Sequence, residues 1–147
     1  LQVGDVVISD QVVHHDVDVT AFGYVMGQVP NMPATYAANT DLVNQAKKAL
    51  QTVTQVQAKV GLIGTGDSFM NDPVRVEAVR AIFPELVAVE MEAAAVAQVC
   101  FKFGTPFVVV RSLSDIAGKE SSQSFEEYLQ VAAENSSLMI QQMLKGY

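Results

Sequence analysis

Two apolar runs that end in carboxylates constrain this chain more than any other feature. Val87-Ala88-Val89 leads into Glu90-Met91-Glu92, and Val108-Val109-Val110 leads through Arg111-Ser112-Leu113-Ser114 to Asp115. Short, continuous β-branched runs read as strands buried on both faces, the pattern of a parallel sheet covered by helices. An acid at the end of such a strand does nothing for folding, because a desolvated carboxylate is costly unless it is paired. In open α/β sheets the carboxyl ends of the strands form the ligand crevice. Two such ends place differently tuned acids at one site, the equipment for acid-assisted cleavage through a cationic transition state.

The rest of the chain supplies the alternation such a sheet needs. Residues 6–13 form a β-rich strand, and residues 22–40, with Pro30 and Pro33, a long loop. Leu42, Val43, Ala46, Ala49, Leu50 and Val53 recur at helical spacing, with Thr40 as the expected cap. A strand over 59–63 closes on Gly64-Thr65-Gly66-Asp67-Ser68-Phe69. Asp72 caps and Pro73 opens a helix that ends near Phe83-Pro84. After a strand over 86–90, residues 93–103 make a nearly all-apolar helix stopped by Gly104 and expected to be buried on several sides. A strand over 106–112 follows. Ser124-x-x-Glu127 reads as a capping box, ahead of a stripe that includes Phe125, Tyr128, Leu129, Ala132, Met139, Ile140 and Met143. Alternating elements of this kind predict an α/β fold with a largely parallel sheet between helices.

Composition narrows the partners. The 147 residues, half of them hydrophobic, suffice for the core of one domain, 1–147. Nine Lys and Arg stand against sixteen Asp and Glu, a net charge of −7, and no basic run tracks a phosphate backbone. Nucleic acid is therefore disfavoured and a neutral or zwitterionic small molecule is the easier ligand. No apolar run reaches the roughly 18–20 residues of a membrane span, and no signal-like leader opens the chain. The single Cys100 forms no internal disulfide, which points to a reduced, cytoplasmic compartment. One cysteine with two histidines makes a poor metal kit. The chain starts at Leu1, just before a strand, and reads as the interior of a longer protein.

The chemistry-bearing residues each have a bland alternative. Glu90 and Glu92 would share a side if extended and diverge if helical, and they equally suit a helix-stabilising acid pair. Asp115, just past a buried strand, can point into the crevice and donate a proton, or can cap a helix or pair with Arg111. Phe69 offers a stacking face for a base, and the preceding glycines let the Met70 backbone approach a ligand, but Phe69 also reads as a core residue beside a turn. His14 and His15, adjacent on a strand, point oppositely and read as a polar strand end. Cys100 reads as packing.

At these positions the chain resembles the bacterial 5′-methylthioadenosine/S-adenosylhomocysteine nucleosidases. The resemblance rests on Asp16-Val17-Asp18-Val19-Thr20-Ala21-Phe22-Gly23-Tyr24, Gly27-Gln28-Val29-Pro30, Gly66-Asp67-Ser68-Phe69 and Val89-Glu90-Met91-Glu92-Ala93. It extends to Arg111-Ser112-Leu113-Ser114-Asp115 and Ser124-Phe125-Glu126-Glu127. The Glu-Met-Glu and Ser-Asp segments are shared with the wider nucleoside phosphorylase superfamily. The resemblance implies a three-layer nucleoside phosphorylase-like fold, its mostly parallel central sheet covered by helices, with the N-terminal part absent from this chain. It implies hydrolysis of the N-glycosidic bond of both thio-nucleosides, in methionine salvage, by a homodimer that uses water and no cofactor or metal.

Residue by residue, the resemblance makes Asp115 the acid that protonates adenine N7. Glu92 becomes the carboxylate that holds the ribose hydroxyls and steadies the oxocarbenium ion. Met91 packs beneath the ribose, Phe69 stacks on adenine, and the Met70 backbone bonds its edge. Glu90 and Ser114 join the substrate-binding set, and Phe125 walls the 5′-thio pocket. Val19, Phe22 and Pro30 match positions that cross a dimer interface to cover the 5′-substituent. The glutamate that activates water belongs to an N-terminal strand outside these 147 residues, and the absent strands are expected to pair with residues 6–13. A chain without that glutamate is expected to turn over poorly alone. Two alternatives stay open: a purine nucleoside phosphorylase, disfavoured by a chain whose arginines are Arg75, Arg80 and Arg111, and a non-catalytic nucleoside-binding protein on the same scaffold.

Overall fold

The computed structural model describes residues 1–51, 57–117 and 122–145, apart from the side chains of residues 122–127. Its sheet is organised around β1 (Val6–His14). One edge of β1 pairs in parallel with β3 (Ala58–Thr65), from Val6 opposite Ala58 to His14 opposite Thr65. The other edge is shared: β5 (Val110–Ser112) runs antiparallel to residues 6–8, and β2 (Tyr36–Ala37) antiparallel to Gln11 and Val12. β4 (Leu86–Glu90) adds in parallel outside β3. The long pairings are thus parallel, as the alternation predicts, and two short antiparallel pieces make the sheet mixed. The expectation that residues 6–13 await absent strands is corrected, since both edges of β1 are hydrogen-bonded within the described residues.

A bulge at Asp10 decides how β1 serves both faces. The register with β3 passes from Ser9 opposite Gly61 to Gln11 opposite Leu62, leaving Asp10 as an extra residue. The side-chain alternation is reset there. Val6 and Ile8 pack on one face with Val43, Ala46, Leu50 and Met139, while Val7 and Val12 pack on the other with Tyr36, Ile63 and Ala94. The first cluster lies under α1 (Thr40–Leu50) and α4 (Ser122–Leu144), the second under α3 (Ala93–Phe103). Helices therefore cover both faces.

Several local expectations are corrected. Asn39, not Thr40, caps α1, its side chain accepting from the Leu42 amide at 3.0 Å. Val53 lies outside the described residues. β3 runs on through Gly64 and Thr65, two residues beyond the expected strand. β5 is only three residues long: next to it the Ser9 amide still bonds the Val109 carbonyl at 2.8 Å, but the Val109 amide goes to the Ser9 hydroxyl at 2.9 Å. α4 starts at Ser122, so the expected cap residue Ser124 falls inside the helix.

α3 is the largest correction. Only Ala93, Ala94 and Ala97 are buried on it, while Val96, Val99, Phe101 and Phe103 are exposed. The alanines let the helix sit close on the sheet, and its apolar outer face stays open. By contrast α2 (Pro73–Ile82) starts as read, with the Asp72 carboxylate accepting from the Val74 amide at 2.9 Å and Pro73 at the first position. The 22–40 loop is pinned at Gly27, whose φ of +84° and 2.8 Å approach of a would-be Cβ to the Val13 side chain both require glycine.

Candidate active site

A cleft of about 480 Å³ runs along β4 and past its carboxyl end, lined also by the segment that follows β3, by α2 and by the exit of β5. Of the expected residues, Glu90, Met91, Glu92, Ser114, Asp115, Phe69 and Met70 line it. Phe69 and Met91 are half exposed and Met70 is buried. Val19, Phe22 and Pro30 are not among the residues lining this cleft, and Phe22 is 82% exposed. Phe125 has its side chain outside the described residues.

The β4 exit is a closed network. The β3–β4 register sets Thr65 opposite Glu90. The Thr65 hydroxyl donates to Glu90 Oε1 and accepts the Ala94 amide at 2.8 Å. Glu90 also accepts the Glu92 amide at 3.0 Å and the Ala93 amide at 2.8 Å, so it caps α3 from two residues ahead of the first turn. Arg111 Nη2 donates to both Glu90 and Glu92. Glu92, at the cap position of α3, makes no capping bond of its own; its side chain is 67% exposed and faces the cleft.

These contacts set the charges. Burial pushes the Glu90 carboxyl up, but the bonds from Thr65, Arg111 and the Glu92 amide outweigh it and hold the group below the ordinary carboxylate range. For Arg111, burial opposes the charge, and the two glutamates more than compensate. Arg111 Nε is buried without a partner among the described residues, a donor left over at the cleft wall.

The β5 exit is sparse. Asp115 accepts from the Ser114 hydroxyl at 2.9 Å, the one hydrogen bond it makes among the described residues. The bland expectation that it pairs with Arg111 is corrected, since that guanidinium bonds Glu90 and Glu92. A carboxylate tied as Glu90 is stays ionised and acts as a fixed acceptor.

Two participants were not singled out from sequence. Thr65 gave no signal beyond standing at the end of a strand, and Arg111 was weighed only as a partner of Asp115 or a phosphate ligand. Neither link is visible without the strand register.

The histidines behave differently from each other. His14 Nε2 lies 3.1 Å from Asp16, whose other oxygen accepts the Asp67 amide at 2.7 Å. His14, Asp16 and Asp67 bring three ligand atoms within 4.8 Å of one another, but these contacts already account for both Asp16 oxygens. His15 is buried, with neither ring nitrogen bonded among the described residues. Its ring occupies the space that side chains on Gly64 and Gly66 would fill; a Cβ on Gly66 would stand 2.6 Å from Nε2. Those two glycines therefore make room for His15 beneath the turn that carries Phe69. Burial lowers the His15 pKa, against the pull of Asp16.

Comparison with known proteins places the site. A family model described as the phosphorylase superfamily matches residues 1–145. The 5′-methylthioadenosine/S-adenosylhomocysteine nucleosidase of Marinomonas sp. (strain MWYL1) is 92% identical over 99% of this chain, which spans 63% of that relative. The chain thus covers a little under two thirds of the relative's length. Among solved structures, the nucleosidase of Neisseria meningitidis in complex with methylthio-immucillin-A superposes with a TM-score of 0.96 at 48% identity, over 100% of this chain and 64% of the other. The nucleosidase from Colwellia psychrerythraea 34H, in complex with adenine, gives 0.94 at 55% identity, over 99% and 60%.

Proposed function

Since the chain belongs to the phosphorylase superfamily, we propose that it carries the leaving-group and ribose half of a nucleosidase site. The reaction is hydrolysis of the N-glycosidic bond of 5′-methylthioadenosine and S-adenosylhomocysteine. Its products are adenine and the corresponding 5-thioribose derivative. The observation that carries this reading is the arrangement at the cleft: a fixed, paired carboxylate system at the β4 exit and Asp115 in the lining at the β5 exit.

As the C1′–N9 bond breaks, its electron pair goes to adenine. Asp115 delivers a proton to N7, so the base leaves neutral. The ribosyl group becomes cationic, and Glu92 supplies the negative charge and the hydroxyl contacts that favour it. Water adds at C1′ and loses a proton to a base that these residues do not assign. Phe69 stacks on adenine, the Met70 backbone bonds its edge, and Met91 and Phe125 pack the thio-sugar. No cofactor or metal takes part.

Hydrolysis is favoured over phosphorolysis because Arg111, the arginine beside the carboxylates, is already shared by two of them and makes a poor seat for a phosphate dianion. The open face of α3 and the exposed Phe22 support a homodimer in which Val19, Phe22 and Pro30 cover a neighbouring 5′ pocket. The 147 residues act as one domain, in the cytoplasm, in methionine salvage. No described helix is long and apolar enough to cross a membrane.

Adenine release from methylthioadenosine, with and without phosphate, tests the reading. It is measured on the chain itself and on the chain joined to the remaining segment of the Marinomonas relative. Free methylthioribose in phosphate-free buffer is the expected result. A sugar 1-phosphate that forms only with phosphate sinks hydrolysis, and nucleoside binding without release from either protein leaves a binding module.

A further inference from the structure

We propose that Thr65 is a positioning residue for the ribose-binding carboxylate, acting through Glu90 and Arg111, and that Glu90 is an anchor and not a substrate ligand. This inference rests on the nucleosidase reading for its ligand but on geometry alone for its linkage.

The direction of each hydrogen bond fixes the argument. Thr65 is 3% exposed and ends β3. Its hydroxyl has one proton. The Ala94 amide donates to Oγ1 at 2.8 Å, so that proton is free for Glu90, which must be ionised to use the remaining contacts as it does. The Glu90 oxygens also receive the Glu92 and Ala93 amides and Arg111 Nη2. A carboxylate offers about four lone-pair sites, and these donors occupy them, so a ribose hydroxyl finds no vacant acceptor on Glu90. The ligand-facing acid is therefore Glu92, which hangs from the same Arg111 nitrogen and is mostly exposed to the cleft.

The linkage runs from a buried strand end to an exposed acid: Thr65 to Glu90, Glu90 to Arg111, Arg111 to Glu92. The same hydroxyl holds the first turn of α3, from whose N-terminus Glu92 projects. Among the described residues, the charged groups that face Glu90 are Arg111 on β5 and Glu92 beside it.

Thr65→Val keeps the shape and removes the hydroxyl. It frees one Glu90 lone pair for Arg111, orphans the Ala94 amide and loosens the geometry that presents Glu92. Calorimetric titration of the chain with two probes tests this. Adenine has no sugar, and the nucleoside analogue methylthio-immucillin-A carries a sugar-like ring. The variant is expected to bind the analogue about tenfold more weakly, the scale of one lost charge-assisted hydrogen bond, with adenine affinity unchanged within about twofold. Thr65→Ser, which retains the hydroxyl, restores the analogue affinity.

Equal losses for both probes mean general damage and overturn the inference, as does an unchanged affinity for the analogue. If the unaltered chain, joined to the remaining segment of the Marinomonas relative, binds neither probe, the nucleosidase reading is what fails. The linkage is then judged by carbon-13 titration of the Glu90 carboxyl, which must move upward in Thr65→Val and not in Thr65→Ser. A Glu90 titration that ignores the valine ends the proposal.

Discussion

The two strand exits that look alike in sequence, Glu90-Met91-Glu92 after β4 and Ser114-Asp115 after β5, have opposite electrostatic fates. Glu90 accepts from a hydroxyl, two backbone amides and a guanidinium. Asp115 accepts from its neighbour Ser114. The first arrangement holds a carboxylate in its ionised form and makes it a structural fixture. The second sets an acid in the cleft lining with a single described partner. An acid at a strand end is thus not by itself a functional sign: the number and direction of its hydrogen bonds decide its role.

The sharpest test of that contrast is Asp115→Asn. It keeps the size of the side chain and abolishes proton donation, so adenine release from the active assembly should drop by about 10²–10⁴-fold, the usual worth of a general acid. Binding of methylthio-immucillin-A should persist. Retained turnover would show that the sparse exit is not the acid.

Glu90→Gln probes the other exit. The amide keeps the shape but turns a pure acceptor into a mixed donor among groups that all donate, so urea unfolding should report a loss of about 1–3 kcal/mol. The same change at Glu92, whose side chain is 67% exposed, should move stability by less than about 0.5 kcal/mol while weakening the nucleoside analogue. Equal stability losses at the two glutamates would erase the distinction between anchor and ligand.

Phe69→Ala bears on the part of the cleft lining that follows β3. Loss of stacking should weaken adenine by about 1–3 kcal/mol in calorimetric titration, the range found for base–aromatic contacts. A Phe69 that serves only as packing would leave adenine affinity intact.

The smallest effect is a pH slope. The His15 pKa is lowered in the fold, so below pH 6.5 the unfolded chain takes up the proton first and stability falls as pH falls. Glu90, whose pKa is also lowered, contributes stability that is present above pH 4.5 and disappears as pH drops through its folded value. His15→Gln should flatten the upper part of the slope and leave the lower part. Denaturant midpoints across this range read both components.

The α3 helix shows where periodicity misleads. Its apolar residues run nearly all round, and burial on several sides is the natural expectation. The sheet takes only the alanine face, leaving Val96, Val99 and Phe103 outward. An all-apolar helix means that every face can be covered; what covers each one is a matter of assembly. The capping of α1 shows a smaller version: Asn39 and Thr40 are both good caps by chemistry, and the backbone conformation at Asn39, extended at φ −71° and ψ 124°, selects between them.

What the sequence determined by itself was local and chemical. Apolar runs, helical spacing and turn residues gave the alternation of elements, and the acids at two strand ends gave the place of the cleft. Resemblance supplied the adenine and ribose roles that residue types alone left open. Tertiary structure decided the rest: the Asp10 bulge that lets β1 serve both faces, the antiparallel pieces on the edge of β1 away from β3, and the partners of each acid. Thr65, Glu90 and Arg111 come from three different strands, separated by 25 and 21 residues. A hydrogen bond that crosses such distances depends on register, and register is a property of the packed sheet, fixed when both faces of β1 are buried at once.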